Sequence, residues 1–343
     1  MLISVTHVRI LNSVESPGVC DVMLVLGVSL ILSALIVPLQ IRKFKENKIL
    51  VKDYYKNDVR EVPTAGGFSI LFVLLLVFVL AAIFGEDLGV ELSALDTVAI
   101  VVIGLYGALG AIDDFVDVNR VTKIILPFFL ALPLGLVVPQ YTIPIPLVGE
   151  VNPGVLYPFI IAPAYVMVVS NLVNMHSGFN GMSVGLSAML LFTLLIKSIM
   201  HGRDTILTTS AVLGALLGFL YYNWYPSQIF EGNVGSLAIG AAIGVAIVAN
   251  GFLVSGFIIL IPHTVNFLMY VCWRVMRRLH PEDKRWELVK FGRVRKDGTL
   301  EIPNPFTLKW VLPHYFRMTE KQVVLSMYGL TGVFCAAGLF IPY

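Results

Sequence analysis

The sequence predicts an all-α polytopic membrane bundle of about ten transmembrane helices, with small hairpin elements on its cytoplasmic and external sides. Three observations carry this reading. Apolar residues make up 57% of the 343-residue chain and charged residues only 13%, against roughly 25% charge in soluble domains. Long apolar runs recur at the length of about 20 residues that a hydrocarbon core demands. Basic residues concentrate on alternate loops, as membrane orientation requires. This composition excludes a soluble enzyme, a disordered chain and a disulfide scaffold. A net charge of only +2 argues against a nucleic-acid partner. Cys20, Cys272 and Cys335 lie in or beside apolar runs, without paired or metal-ligand spacing, and read as small hydrophobes.

In chain order the apolar spans fall at 20–40, 66–84, 95–112, 124–140, 155–173, 184–200, 206–222, 234–250, 253–273 and 323–341. Residues 1–19 are interrupted by His7, Arg9, Asn12 and Glu15, which does not suit a signal peptide. Spans eight and nine nearly merge around Asn250–Gly251. Span nine contains Pro262, whose missing N–H predicts a bend. That bend either opens a lateral groove or only improves packing. Tyr141–Val151, with Pro144, Pro146 and Gly149, predicts an external hairpin. Residues 293–302 predict an internal one, because Asp297-Gly298 suits a tight turn. Ten spans place 21 Lys and Arg on one set of loops and 3 on the other, so the first set is assigned to the cytoplasm. Residues 1–343 read as a single integral-membrane domain, and 274–322 as a cytoplasmic loop between the last two spans.

Polar clusters gather on that same side, where ionisable groups beside apolar helix ends invite a functional reading. Asp113, Asp114 and Asp117 follow span three, with Lys123 shortly after. Three carboxylates this close repel unless a cation joins them, and hard oxygen ligands suit Mg²⁺, with Mn²⁺ as a second choice. A solvated helix cap is the plain alternative. Asn171 and Asn174 end span five and Asn180-Gly181 then makes a turn, with the asparagines as caps or as amide ligands and donors. Tyr221–Leu237 opens span eight with Glu231, Gly232 and Asn233, where backbone N–H groups offer a phosphate cradle. Trp224 and Tyr225 fit an interfacial aromatic belt. Val62–Gly67 enters span two with small residues that shape the helix start or let a nucleotide or lipid head approach.

Taken in order, Val62–Gly67, Asp113–Lys123, Asn171–Gly181, Tyr222–Ser227 and Phe230–Leu237 resemble the motifs of the polyprenyl-phosphate N-acetylhexosamine-1-phosphate transferases. The stretch Tyr222–Ser227 is most similar to the dolichyl-phosphate N-acetylglucosamine-1-phosphate transferase branch. Leu312–Phe316, with His314, is similar to the histidine loop of the bacterial peptidoglycan translocase. The chain thus mixes branch features in the manner of an archaeal homologue.

The resemblance implies transfer of N-acetylglucosamine 1-phosphate from UDP-N-acetylglucosamine to a long-chain polyprenyl or dolichyl phosphate, with release of UMP. It implies an active site on the cytoplasmic face of the cell membrane in an archaeon, or of the endoplasmic reticulum in a eukaryote. Its partners are these substrates and membrane lipid, and it admits a homodimer. By the same resemblance Asp113 and Asp114 stand near the lipid phosphate, and Lys123 faces phosphate. Asp117 lies around the diphosphate, Asn174 holds the metal complex and Asn180 meets the uracil. Gly232 and His314 are carried over as substrate contacts, and Asp114, Asn174, Asn233 and Glu231 as metal ligands. One departure stands out. Relatives carry Gly-Asp where this chain has Gly232-Asn233, which leaves a neutral amide, or Glu231 two residues before it, at a metal-carboxylate position. A different donor such as the muramoyl-pentapeptide nucleotide, a secondary transporter and a noncatalytic lipid-binding homologue are the competing readings.

Overall fold

The computed structural model describes residues 18–116, 118–145, 149–202 and 206–341. Helix α1 (Val19–Glu46) starts where the Asp21 carboxylate accepts the Gly18 N–H, and ends with Lys43 and Lys45 in the last turn, complementing the helix dipole. A hairpin of β1 (Leu50–Asp53) and β2 (Arg60–Pro63) follows, with Leu50 opposite Pro63. Then come α2 (Gly67–Leu88), α3 (Ala94–Val116) and α4 (Arg120–Leu130), the last capped by Asn119 accepting from Thr122 N at 3.0 Å. A 3₁₀ turn, Leu132–Leu136, leads to a second hairpin of β3 (Ile143–Ile145) and β4 (Gly149–Val151). Beyond it run α5 (Ala162–Met175), α6 (Met182–His201), α7 (Ile206–Asn223), α8 (Gly232–Ala249), α9 (Leu253–Ile259) and α10 (Ile261–Leu279). A two-residue-per-strand hairpin, β5 (Arg293–Val294) with β6 (Leu300–Glu301), precedes α11 (Leu308–Tyr315) and α12 (Glu320–Leu339).

The expected ten spans are not there. Among the described residues seven helices are long and apolar enough to cross a membrane, or eight if α9 and α10 form one bent span. The runs at 124–140 and 206–222 fall on the shorter apolar helices Val121–Leu136 and Leu207–Asn223. Hydropathy counts apolar residues whether or not they are helical, so it reads through the tightened turn after α4. The second of these helices, at 1.5 Å per residue, reaches only about 26 Å against about 30 Å of hydrocarbon. The bend in span nine is present. The α9 and α10 axes differ by 64°, and Pro262 occupies the first turn of α10, where a missing N–H is tolerated. Sidedness can no longer rest on strict alternation of ten spans.

Helix α8 is the centre of the bundle. Its residues are apolar and small on every face, and Val234 to Ala249 are all buried, the pattern of a helix enclosed by others. Helices α2, α3, α5 and α6 pack around it. The contacts are close because the crossing points lack side chains. A Cβ on Gly67 would run into the Gly235 backbone, and one on Gly110 into the Asn233 carbonyl. Gly67→Ala should therefore cost about 1–3 kcal/mol through overpacking. The check is the thermal unfolding midpoint of the detergent-purified protein, which should fall by several degrees. A second apolar cluster caps one end of the bundle. Tyr55, Phe179, Met182, Trp273, Trp310 and Val323 belong to it, so the β1–β2 hairpin, the start of α6, α10, α11 and α12 meet there.

Candidate functional site

The capped end holds a cavity of about 480 Å³, whose walls include Asp53, Asp114, Asn174, Asn180, Glu231 and Asn233. That is the size range of small-ligand sites. It forms where the end of α3 meets the start of α8. The first N–H groups of a helix have no partner within it and carry partial positive charge. At α8 they are met by Asp114. Asn233 N donates to Asp114 Oδ1 at 3.0 Å, and Val234 N donates to Oδ2 at 3.1 Å. The cradle expected to receive phosphate here is engaged with a side chain of the protein itself.

Asp113 is buried against the same helix start. Its Oδ2 accepts from Asn233 Nδ2 at 2.9 Å, and its Oδ1 from Val118 N at 3.0 Å. Lys123 Nζ lies 2.6 Å from Oδ1. Asp113 thus has three donors, the strong one charge-assisted, while Asp114 is the carboxylate of the pair that lines the cavity. Gly232 turns the chain between them and α2. Its φ of +66° suits glycine, and a Cβ would lie 2.5 Å from Asp114 Oδ2 and 2.8 Å from Ala65 Cα.

The Val62–Gly67 segment is hydrogen-bonded to this turn. Phe230 N donates to Pro63 O, Gly66 N to Phe230 O and Gly67 N to Glu231 O, each at 2.8 Å. Its small residues admit the protein's own loop. Glu231 lies beside Asn223, whose Nδ2 is 3.5 Å from Oε2. Burial pushes its carboxyl above the ordinary range, against hydrogen bonds that include the Ser183 and Asn223 side chains.

Asn174 Oδ1 accepts from Ser236 Oγ at 2.8 Å on the cavity wall. Asn171, one turn earlier, donates to Met167 O at 2.9 Å and faces a different space. This second cavity, of about 380 Å³, lies at the α9–α10 bend and is lined by residues including Ile124, Leu172, Met175, Phe257, Leu260 and Phe267. It is apolar apart from Asn171, Thr264 and the Tyr165 hydroxyl. Asn180 is buried and bridges two loops. Its Oδ1 accepts from Ser227 N at 2.9 Å, and its N–H donates to Glu320 Oε1 at 2.7 Å.

The composition of this end decides the comparison with known proteins. The sequence profile of glycosyl transferase family 4 matches residues 97–251, which carry Asp113, Asp114, Asn174, Glu231 and Asn233. A Saccharolobus solfataricus protein provisionally named UDP-N-acetylglucosamine–dolichyl-phosphate N-acetylglucosaminephosphotransferase is 32% identical over 88% of this chain and 90% of its own length. The chain belongs to glycosyl transferase family 4. A provisionally named glycosyltransferase of Methanocaldococcus jannaschii is 26% identical over 84% of this chain and 86% of its own. A phospho-N-acetylmuramoyl-pentapeptide-transferase of Clostridium kluyveri is 31% identical over 65% of this chain and 73% of its own.

In this family 4 member the residues singled out from sequence part into three groups. Asp113, Asp114, Lys123, Gly232 and Asn233 form one bonded cluster, and Asn174, Asn180 and Glu231 line the cavity beside it. His314 does not join them. It is exposed on α11, with Nδ1 3.4 Å from Ile302 O. Asp117 lies outside the described residues. Trp224 and Tyr225 are half-buried against other parts of the chain. Trp224 packs on Tyr328 at 5.8 Å, and Tyr225 lies under Lys56 Nζ at 4.4 Å.

Several residues at the site had no sequence signal beyond a basic loop. Lys52 and Lys290 flank a stacked pair, Tyr54 and Phe291, with ring centroids 4.1 Å apart on the cavity wall. Behind them Lys56 bridges Asp53 at 3.1 Å and Glu320 at 2.5 Å. Asp53 and Glu320 are 3% and 2% exposed, which makes this a buried ion network. Burial of charges in pairs was the available clue, and it requires the fold to be read.

Proposed function

We propose that the protein transfers N-acetylglucosamine 1-phosphate from UDP-N-acetylglucosamine to a polyprenyl phosphate of the dolichyl type. The observation that carries this reading is the adjacency of two unlike cavities on α5. Asn174 lines the polar one, while Asn171 and Met175 line the apolar one. A water-soluble nucleotide sugar and a prenyl chain need such a pair of spaces, with their phosphates meeting between them. In the reaction an oxygen of the lipid phosphate attacks the sugar-bearing phosphorus of the donor. One P–O bond forms, the bond to the UMP phosphate breaks, and UMP leaves with that electron pair. A phosphoanhydride replaces a phosphoanhydride, so no further energy source enters.

Mg²⁺ fits the donor set. Among the described residues no three His, Cys, Asp or Glu side chains cluster as metal ligands. Magnesium does not need three, since one or two carboxylates with substrate phosphates suffice. Asp114 and Glu231 would supply carboxylates, and Asn174 and Asn233 amide oxygens, all from residues that line the cavity. Bound there, the ion would offset charge on the diphosphate. The protein's own contribution is placement. Asp113 and Asp114 lock the α3 end onto α8, and Lys123 pairs with Asp113 at that junction. The basic residues of this end, including Lys52, Lys56, Arg60 and Lys290, support a cytoplasmic orientation.

Incubation of purified protein with UDP-N-acetylglucosamine, dolichyl phosphate and Mg²⁺ should release UMP and form a lipid-diphosphate sugar. Chelator should stop both, and added Mg²⁺ or Mn²⁺ should restore them. UMP release undiminished by chelator defeats the metal reading. Faster turnover of the muramoyl-pentapeptide nucleotide in a competition assay defeats the donor choice. Substrate flux into liposomes without lipid product defeats the transferase itself.

A further inference from the structure

Helix α11 puts a cation behind the cavity wall. Lys309 Nζ donates to the backbone carbonyl of Ser177 and lies 5.5 Å from the Phe179 ring centre. A Cβ on Gly178 would collide with the same ammonium. Ser177, Gly178 and Phe179 are consecutive residues of the cavity wall. The ammonium therefore occupies the space a side chain at 178 would fill. Gly178 has φ +110°, a conformation that all but demands glycine, so the wall is thin at this point by backbone necessity.

The cation also lacks a counter-charge. Among the described residues Lys309 makes no ion pair, and its one hydrogen bond is to a neutral carbonyl. The titratable groups around it are imidazoles. His176 is fully buried at the end of α5, with neither ring nitrogen partnered, and the α10 residue His263 packs edge-on to it at 4.6 Å. Desolvation draws Lys309 down to about 8. A half-buried ammonium with no carboxylate partner is held at a cost, and an anion brought into the cavity would relieve it.

Resting on the proposed transferase reading, we infer that Lys309 is a further binding residue for the donor, reaching its diphosphate through the gap left by Gly178. The chemistry recognised is the phosphate charge of the nucleotide, not its base. α11 and α10 hold the lysine in place: Asn266 on α10 accepts from Leu308 N at 3.1 Å and donates to Met175 O at 3.1 Å, tying the α11 start to the α5 end.

The test compares UDP with uridine, each titrated calorimetrically into purified protein with Mg²⁺. Lys309→Gln keeps a donor for Ser177 and removes the charge. It should weaken UDP binding by roughly ten- to a hundred-fold, the worth of a hydrogen bond to a charged group, while uridine binding stays within about two-fold. Lys309→Arg should keep most of the UDP affinity. Lys309→Met serves if the glutamine variant does not fold, with the same expectation. Equal losses for UDP and uridine would reduce Lys309 to a prop for the loop and overturn the inference, and so would unchanged affinity for both. Absence of UDP and UDP-sugar binding by the parent protein would instead sink the transferase reading on which it rests.

Discussion

Lys56→Met should be among the most damaging single substitutions in this protein, lowering stability by about 3–5 kcal/mol. Lys56 Nζ lies 3.1 Å from Asp53 Oδ2 and 2.5 Å from Glu320 Oε2, and both carboxylates are nearly inaccessible to water. Methionine fills a similar volume, so the loss is electrostatic. Among the described residues, the two buried carboxylates would be left with Arg60, 3.7 Å from Asp53, and the Asn180 N–H, 2.7 Å from Glu320, to oppose them. The same network joins the β1 hairpin to the Asn180 loop and to α12, and Asp53 and Asn180 line the cavity. Donor KM should therefore rise along with the loss of stability. Thermal unfolding in detergent and donor titration measure the two effects. The triple replacement of Lys56, Asp53 and Glu320 by apolar residues should recover much of the stability, because it removes the charges together. A Lys56→Met protein as stable as its parent would show that the three side chains are hydrated and not a buried network.

This network also marks the limit of what the linear chain conveys. Lys56 and Glu320 are 264 residues apart, and Lys56 sits in a loop whose basic residues fit membrane orientation without any further role. The acidic pair at Asp113–Asp114 and the Glu231-Gly232-Asn233 turn are legible, because ionisable groups at the ends of apolar helices are costly unless a site uses them. Their convergence is physical: Asp114 satisfies the first N–H groups of α8. The helix count is misread for an equally physical reason. Apolar content at 124–140 continues past the end of α4 into a 3₁₀ turn, and hydropathy is blind to backbone geometry. The bend at Pro262 is legible because proline removes a defined hydrogen bond. The β1–β2 hairpin is not, since its strands are four residues each and Lys52 and Glu61 interrupt their apolar pattern.

Asn233→Asp should have opposite effects on the metal-free and metal-loaded protein. The substitution supplies the carboxylate that the family resemblance implies at this position, and on sequence alone it reads as a simple gain. The geometry adds a cost. Asn233 Nδ2 donates to Asp113 Oδ2 at 2.9 Å, and Asn233 N donates to Asp114 at 3.0 Å. A carboxylate at 233 removes the first of these bonds and sets a third negative charge against the pair. Without metal the variant should lose about 1–3 kcal/mol of stability. With Mg²⁺ the added ligand should offset this, so the thermal shift on adding Mg²⁺ should exceed that of the parent, and the Mg²⁺ needed for half-maximal turnover should fall. Glu231→Gln should behave in the reverse sense. Glu231 is desolvated and bonded mainly to neutral groups, so its neutralisation should leave metal-free stability intact or raised. Its loss as a ligand should raise the Mg²⁺ requirement about ten-fold, or about 1.4 kcal/mol. Unfolding in chelator and Mg²⁺ titration at saturating donor and lipid separate the two residues. Asn233→Asp matching its parent in chelator would mean that the bond to Asp113 contributes nothing. Glu231→Gln with an unchanged Mg²⁺ requirement would remove Glu231 from the ligand set and leave Asp114 as the site's charged ligand among the described residues.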